Sequence, residues 1–186
     1  MLRSAGGNAR LMRSFALVYR AVGHLSRIVA LAGAAMLAGA MAITMADILL
    51  RRLFAFAMIG TVDMVQLCIM STAFLSIPYA FVRGSHVGIE GATDLLPERA
   101  LALVKSTAAL AGFSFMAAIG WFGLEQAELQ YGYGDVSQTI AIPMLYYWLP
   151  LLAGAALSVL ATAILAVRFL IHAATGCDPL EPGVRS

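Results

Sequence analysis

The sequence predicts an all-α membrane protein with four transmembrane helices, and three observations support this fold class. Apolar residues make up 61% of the 186 residues and charged residues only 12%, and the mean hydropathy is +0.87. A soluble domain would have about 45–50% apolar and about 25% charged residues. The second observation is a set of four long uncharged runs, and the third is an uneven distribution of arginine and lysine.

Each uncharged run is long enough to cross a bilayer as a helix, which takes about 20 residues for a hydrocarbon core of about 30 Å. The runs cover residues 28–46, 64–82, 106–124 and part of 136–167. With their flanks they predict a membrane domain over residues 28–171, with spans at about 28–50, 63–82, 101–124 and 144–168.

The basic residues predict how the spans are oriented, because short cytoplasmic segments of membrane proteins are enriched in Lys and Arg. Five arginines precede the first span, and the other basic residues on that predicted side are Arg83, Arg99, Lys105, Arg168 and Arg185. The opposite side has only Arg51 and Arg52. Both termini and the central loop are therefore predicted to be cytoplasmic.

The N-terminal segment, residues 1–27, is predicted to form an amphipathic helix on an anionic leaflet. Its apolar side chains recur at helical spacing, and its arginines fall on the opposite face. The apolar set is Leu11, Phe15, Val18, Val22 and Leu25, and the basic set is Arg13, Arg20 and Arg27. A cleaved signal peptide is the alternative. It is disfavoured because apolar sequence continues to Leu50.

The central loop contains a polar motif, Arg83, Gly84, His86 and Glu90, which predicts a turn at the membrane surface. Ile89, Ala92, Leu95 and Leu96 follow at helical spacing and predict a short interfacial helix that ends at Pro97. This helix is either a re-entry turn or a docking surface for another subunit. Residues 172–186 are predicted to form a cytoplasmic tail.

A candidate structural charge cluster lies near the outer membrane face and consists of Asp47, Arg51, Arg52 and Asp63. Asp47 and Arg51 are one helical turn apart, with the acid on the N-terminal side, which is a favourable arrangement. Asp63 follows beyond a short loop and is expected to help hold Arg51. The cluster is expected to fix two helix ends, since charges near the interface cost far less than charges at the bilayer centre.

Small residues recur every four positions in two spans and form shallow strips where helix backbones can approach closely. One candidate helix-packing strip is Gly154, Ser158 and Thr162, continued by Ala166, and a second is Ala35 with Gly39. The pattern leaves open whether either strip meets this chain or another, or is ordinary alanine-rich membrane sequence.

The sequence predicts neither an enzyme nor a cofactor-binding protein. We find no nucleophile, phosphate-loop or zinc-protease motif, and the basic residues do not form a nucleic-acid-binding patch. Axial haem ligands would have to project inward from the spans, whereas His24, His86 and His172 flank them. No carboxylate lies in the middle of a span. A self-sufficient small transporter or channel and a membrane anchor for a redox enzyme are the alternatives, and both lack their expected residues.

Three blocks of the sequence resemble the small membrane subunit, DctQ-like, of tripartite ATP-independent periplasmic (TRAP) transporters. The first runs from Leu50 to Phe54 and on to Gly60-Thr61-Val62-Asp63. The second, Arg83 to Glu90, is similar to the family's Arg-x-Gly-x-His-Ile-x-Val-Asp. The third runs from Ser137 to Ile142-Pro143, then Tyr147 and Pro150. Val62 stands where the family often has an acid, and Glu90 replaces the more usual aspartate.

This resemblance, which covers roughly residues 28–169, implies a small accessory subunit in a bacterial inner membrane. The subunit would bind a large membrane subunit that carries the transport pathway, and a periplasmic receptor would deliver a carboxylate-bearing solute. An ion gradient, commonly of sodium, would drive uptake, and this chain would bind neither the ion nor a cofactor.

Overall fold

The computed structural model describes residues 3–83 and 98–175, and it describes side chains for residues 17–83 and 104–170. Four helices make up this part of the chain: α1 (Arg3–Phe54), α2 (Thr61–Val82), α3 (Glu98–Tyr133) and α4 (Leu145–Thr175). Each includes a segment long and apolar enough to cross a membrane. The predicted fold class, an all-α protein with four transmembrane helices, is therefore confirmed.

The helices are longer than the predicted spans. The amphipathic segment at 1–27 and the first span are expected to be separate, but α1 runs without a break from Arg3 to Phe54. At 1.5 Å per residue, this helix is about 78 Å long, more than twice the hydrocarbon thickness of a bilayer. The N-terminal part of α1 therefore extends the first span as one helix.

The third helix continues nine residues beyond the predicted end at residue 124, because residues 125–133 are rich in good helix formers. It ends at Tyr133, and the next residue, Gly134, has a φ of +69°, which suits glycine. The amide of Asp135 bonds to the Gln130 carbonyl at 3.1 Å, and the amide of Gly134 bonds to the Tyr131 carbonyl at 3.2 Å. This pair of bonds is a Schellman motif, so local backbone chemistry ends α3.

The fourth helix lies at the centre of the bundle. It packs against α3 on one side and α2 on the other and also touches α1, while α1 packs mainly on α2. Half of the α4 span is buried, compared with 11% of the α1 span. The order across the bundle is therefore α1, α2, α4, α3, which leaves α1 and α3 at its edges.

Small residues set the distances between these helices. A Cβ atom added to Gly154 of α4 would overlap the carbonyl of Phe74 on α2, because the two backbones touch there. Ser158 and Thr162 are fully buried, and Thr162 lies beside Gly112 of α3. The Gly154, Ser158, Thr162 strip thus packs inside this chain. Gly39, in contrast, has open space where a Cβ would stand.

The two described connections, 55–60 and 134–144, lie at the same end of the bundle, which we call the loop end. At the other end, the terminal end, Tyr19 and Phe169 pack against a cluster of Ala109, Leu165 and Ala166. Residues 84–97, which include Gly84, His86, Glu90 and the predicted interfacial helix, lie outside the described residues, as does the tail beyond residue 175.

Candidate functional site

Asp63 is the centre of the best-connected polar site in the described chain. It occupies the first turn of α2 at the loop end, and only 4% of its surface is exposed. Its Oδ2 atom accepts hydrogen bonds from the Ser137 hydroxyl at 2.7 Å and from the amides of Thr139 and Ile140, each at 3.0 Å. The Thr139 hydroxyl donates to Oδ1 at 3.3 Å. All these donors are uncharged groups of the 134–144 loop.

The loop is shaped to present these donors. The Ser137 hydroxyl, while donating to Asp63, accepts the amide of Ile142 at 3.0 Å, and the Ser137 amide donates to the Ile142 carbonyl at 2.8 Å. Ala141 has a φ of +54°, in the left-handed region that non-glycine residues seldom adopt. These bonds fold residues 137–142 into a tight turn, and three residues of that turn donate hydrogen bonds to Asp63.

Two further contacts hold the 134–144 loop and the start of α4 against the start of α2. Gly60, with a φ of +89°, precedes the helix, and a Cβ atom there would collide with the side chain of Ile140. The Tyr147 hydroxyl, at the start of α4, donates to the backbone carbonyl of Asp63 at 2.9 Å. The loop end of α2 is thereby tied to both the 134–144 loop and α4. A carboxylate in a first helical turn also interacts favourably with the helix dipole.

Asp47 forms a second site at the loop end, on α1. Its Oδ1 accepts the amide of Met58 at 2.9 Å, which closes the 55–60 connection back onto the helix. Its Oδ2 pairs with Arg51 at 2.8 Å, as the one-turn spacing predicts. The Arg51 side chain is 57% exposed, so water competes for this ion pair and its contribution to stability is small.

The predicted charge cluster is therefore divided in the structure. The sequence places Asp63 with Arg51, but all the described side-chain partners of Asp63 belong to residues 137–140. Arg52 is exposed and forms no ion pair with a described residue. The physical reason is that uncharged N–H and O–H donors can stabilise a buried carboxylate as well as a cation can.

Thr139, Ile140 and the Tyr147 hydroxyl were not identified as site residues from sequence. The sequence does contain a signal for this site, because the third block of the family resemblance runs from Ser137 to Pro143 and includes Tyr147. The pairing of Trp148 with Gln130, at 2.7 Å between Nε1 and Oε1, also joins α4 to α3 at this end. Such pairs depend on which helices are neighbours, which single-span patterns do not reveal.

At the terminal end, the described part of the central-loop motif is Arg83. Its Nε donates to the Tyr79 hydroxyl at 2.9 Å, and its guanidinium lies 5.3 Å from the centre of the same ring. Arg168 lies 5.8 Å from the ring of Tyr19. These arginines thus stack on aromatic rings, as cations commonly do.

The two buried acids, Asp47 and Asp63, have a common structural role. Each accepts bonds that hold a loop, and we find no group of three potential metal ligands among the described residues. What the site can do is fix the loop end: Asp47 holds the α1–α2 connection, and Asp63 holds the α3–α4 connection. Asp63 therefore joins the two helical hairpins, whereas Asp47 holds a connection within the first hairpin.

One comparison with known proteins gives a match. The family model described as "Tripartite ATP-independent periplasmic transporters, DctQ component" matches residues 40–172, which include the Asp47 and Asp63 sites and the α4 strip. Comparison with curated proteins and with solved structures gave no match.

Proposed function

Because this chain belongs to the DctQ family, the small membrane component of tripartite ATP-independent periplasmic transporters, we propose that it braces the large membrane subunit during uptake. The family match is the observation that carries the proposal. In this role the chain supplies a rigid scaffold beside the subunit that contains the transport pathway.

The packing of the bundle supports a bracing role. The centre of α4 is filled by small residues in close contact with α2 and α3, and Ala155, Ser158 and Thr162 are fully buried. An ion-coupled carrier generally has polar groups and broken helices at a site near the bilayer midplane. Here the two buried acids of the described chain lie at the loop end, where they hold connections. Such a chain is suited to be a scaffold.

Ion coupling and solute delivery are proposed for the other parts of the transporter. We propose that an ion gradient, of sodium in the common case, drives uptake through the large subunit. A periplasmic receptor delivers the solute, which carries a carboxylate group. This chain, in that division of labour, binds neither the solute nor a cofactor.

We further propose that the loop end faces the periplasm and the terminal end faces the cytoplasm of a bacterial inner membrane. The distribution of lysine and arginine supports this orientation. Reporter fusions after Ala92 and Ser186 are expected to report a cytoplasmic location, and a fusion at Gly132 a periplasmic one. A periplasmic signal after Ala92 would invert the arrangement.

Reconstitution tests the bracing role. We expect liposomes that contain both membrane subunits to take up solute when they are supplied with loaded receptor and a sodium gradient. Liposomes with this chain alone are expected to show no uptake above protein-free liposomes, because the spans have no carboxylate near the bilayer centre, where an ion-coupled carrier generally has polar groups. Uptake by this chain alone would refute the accessory role. Full-rate uptake by the large subunit alone would refute bracing.

A further inference from the structure

The outward-facing surface of α1 and α2 contains an apolar groove that no described segment of the chain fills. Two cavities, of ≈ 570 Å³ and ≈ 350 Å³, form it. Thr44, Val65 and Ile69 line both cavities, so the cavities adjoin each other. We call this surface the α1–α2 groove. It reaches Leu37 on α1 and Phe74 on α2.

The walls of the groove are held in place by contacts within the chain. The Thr72 hydroxyl donates to the Gly33 carbonyl at 2.8 Å, and a Cβ atom on Gly33 would lie 3.3 Å from the Thr72 carbonyl, so the helices are close there. At the loop end, Asp47 holds the connection between the same two helices. The groove runs alongside these two attachments, which hold its walls together and make it preformed.

A polar side chain lies in this apolar groove. Gln66 lines the larger cavity, is exposed, and sits about one turn along α2 from Asp63. Its amide has no hydrogen-bond partner in the described chain. The hydroxyls of Thr44 and Thr61, which also line the cavity, bond to the carbonyls of Ala40 and Met58. Among these three polar lining side chains, Gln66 is thus the one without a hydrogen-bond partner in the described chain.

Hydrocarbon tails cannot bond to an amide, and leaving one unsatisfied in an apolar medium is costly. Neighbouring helices in membranes commonly satisfy glutamine side chains by hydrogen bonding across their interface. Three methionines also line the groove, namely Met41 and Met45 of α1 and Met70 of α2. Methionine side chains adapt to the shape of an incoming surface.

We propose that the α1–α2 groove is the docking site for a transmembrane helix of the transporter's large membrane subunit, and that this helix presents a hydrogen-bonding side chain to Gln66. The proposal rests on the proposed function, which supplies a membrane-embedded partner. A helix is the favoured occupant because it can offer both an apolar face and a polar side chain, whereas a lipid tail offers only the first. The apolar surface also continues past the groove, since Val62 at its mouth is 70% exposed and Ile59 beyond it 79%.

Site-specific photocrosslinking in the assembled complex tests the location. A benzoylphenylalanine at position 69 is expected to give an adduct with the mass of this chain plus the large subunit. The same probe at Phe115, an exposed residue of α3 outside the groove, is the control and is expected to give little of that adduct. Adducts of two copies of this chain, lipid adducts only, or no adduct from position 69 would each overturn the proposal.

The Gln66→Leu variant tests the hydrogen bond, because a partner helix and lipid predict different results. With a partner helix, loss of the bond should raise the dissociation constant of the two membrane subunits about threefold. With lipid in the groove, leucine suits the surroundings better and association should not weaken. The matched control is Gln126→Leu on α3, also exposed and outside the groove. An unchanged dissociation constant for Gln66→Leu would overturn the role of Gln66.

These experiments separate the docking site from the proposed function. If the wild-type subunits co-purify but crosslink through Phe115 and not through position 69, the subunit role stands and the groove proposal fails. If the wild-type subunits neither co-purify nor crosslink, both fail.

Discussion

Replacing Asp63 with alanine is expected to release the 134–144 loop from α2. The change removes the acceptor for the Ser137 hydroxyl and for the amides of Thr139 and Ile140. Two amides and a hydroxyl at a packed site would then lack their partner, and burial of unsatisfied donors destabilises a fold. Hydrogen exchange measures this directly. We expect the Thr139 and Ile140 amides to exchange about tenfold faster or more in the variant.

Two variants serve as comparisons for this prediction. Asp63→Asn keeps one acceptor oxygen and is expected to have an intermediate effect. Glu128→Ala removes an exposed acid of α3 and is expected to leave the Thr139 and Ile140 amides protected. The yield of folded protein should follow the same order, with Asp63→Ala lowest. Equal protection of these amides in Asp63→Ala and the wild type would show that Asp63 does not hold the 134–144 loop.

Replacing Gly154 with alanine or valine is expected to push α2 away from α4. A Cβ atom at this position would overlap the Phe74 carbonyl, and its distance to the Phe74 carbonyl carbon would be 2.6 Å. Neither helix backbone can yield without moving its neighbours, because α4 is also packed against α3. Overpacking of this kind typically costs about 1–3 kcal/mol. Valine, which is larger, should cost more than alanine, and both should lower the thermal unfolding temperature in detergent.

Gly39 is the matched control for Gly154, since it is also a glycine within a membrane-spanning helix. A Cβ atom there meets nothing within 4 Å. Gly39→Ala is therefore expected to remain within about 1 kcal/mol of the wild type, the difference in helix propensity between the two residues. A Gly39→Ala variant as unstable as Gly154→Ala would mean that the close approach at Phe74 is not what destabilises the protein.

The sequence by itself determined the number of membrane-spanning helices and the family. Hydrophobic length is a property of each run alone, so the four spans could be predicted without knowing how they pack. The same holds for the pairing of Asp47 with Arg51, because residues one turn apart on a helix are neighbours in any fold. The ends of α1 and α3 were harder to predict, since charged helix formers extend a helix beyond its apolar run.

Only the tertiary structure decided which helices are neighbours and what Asp63 contacts. The Ser137 hydroxyl that bonds Asp63 is 74 residues away in sequence, and it arrives there because α2 packs on α4. Likewise, nothing in the spacing of Gly154 or Gly39 shows that the first touches a helix backbone while the second faces open space. Apolar runs and small-residue spacing indicate which helix surfaces can pack. Which helices become neighbours depends on the shape of the whole bundle.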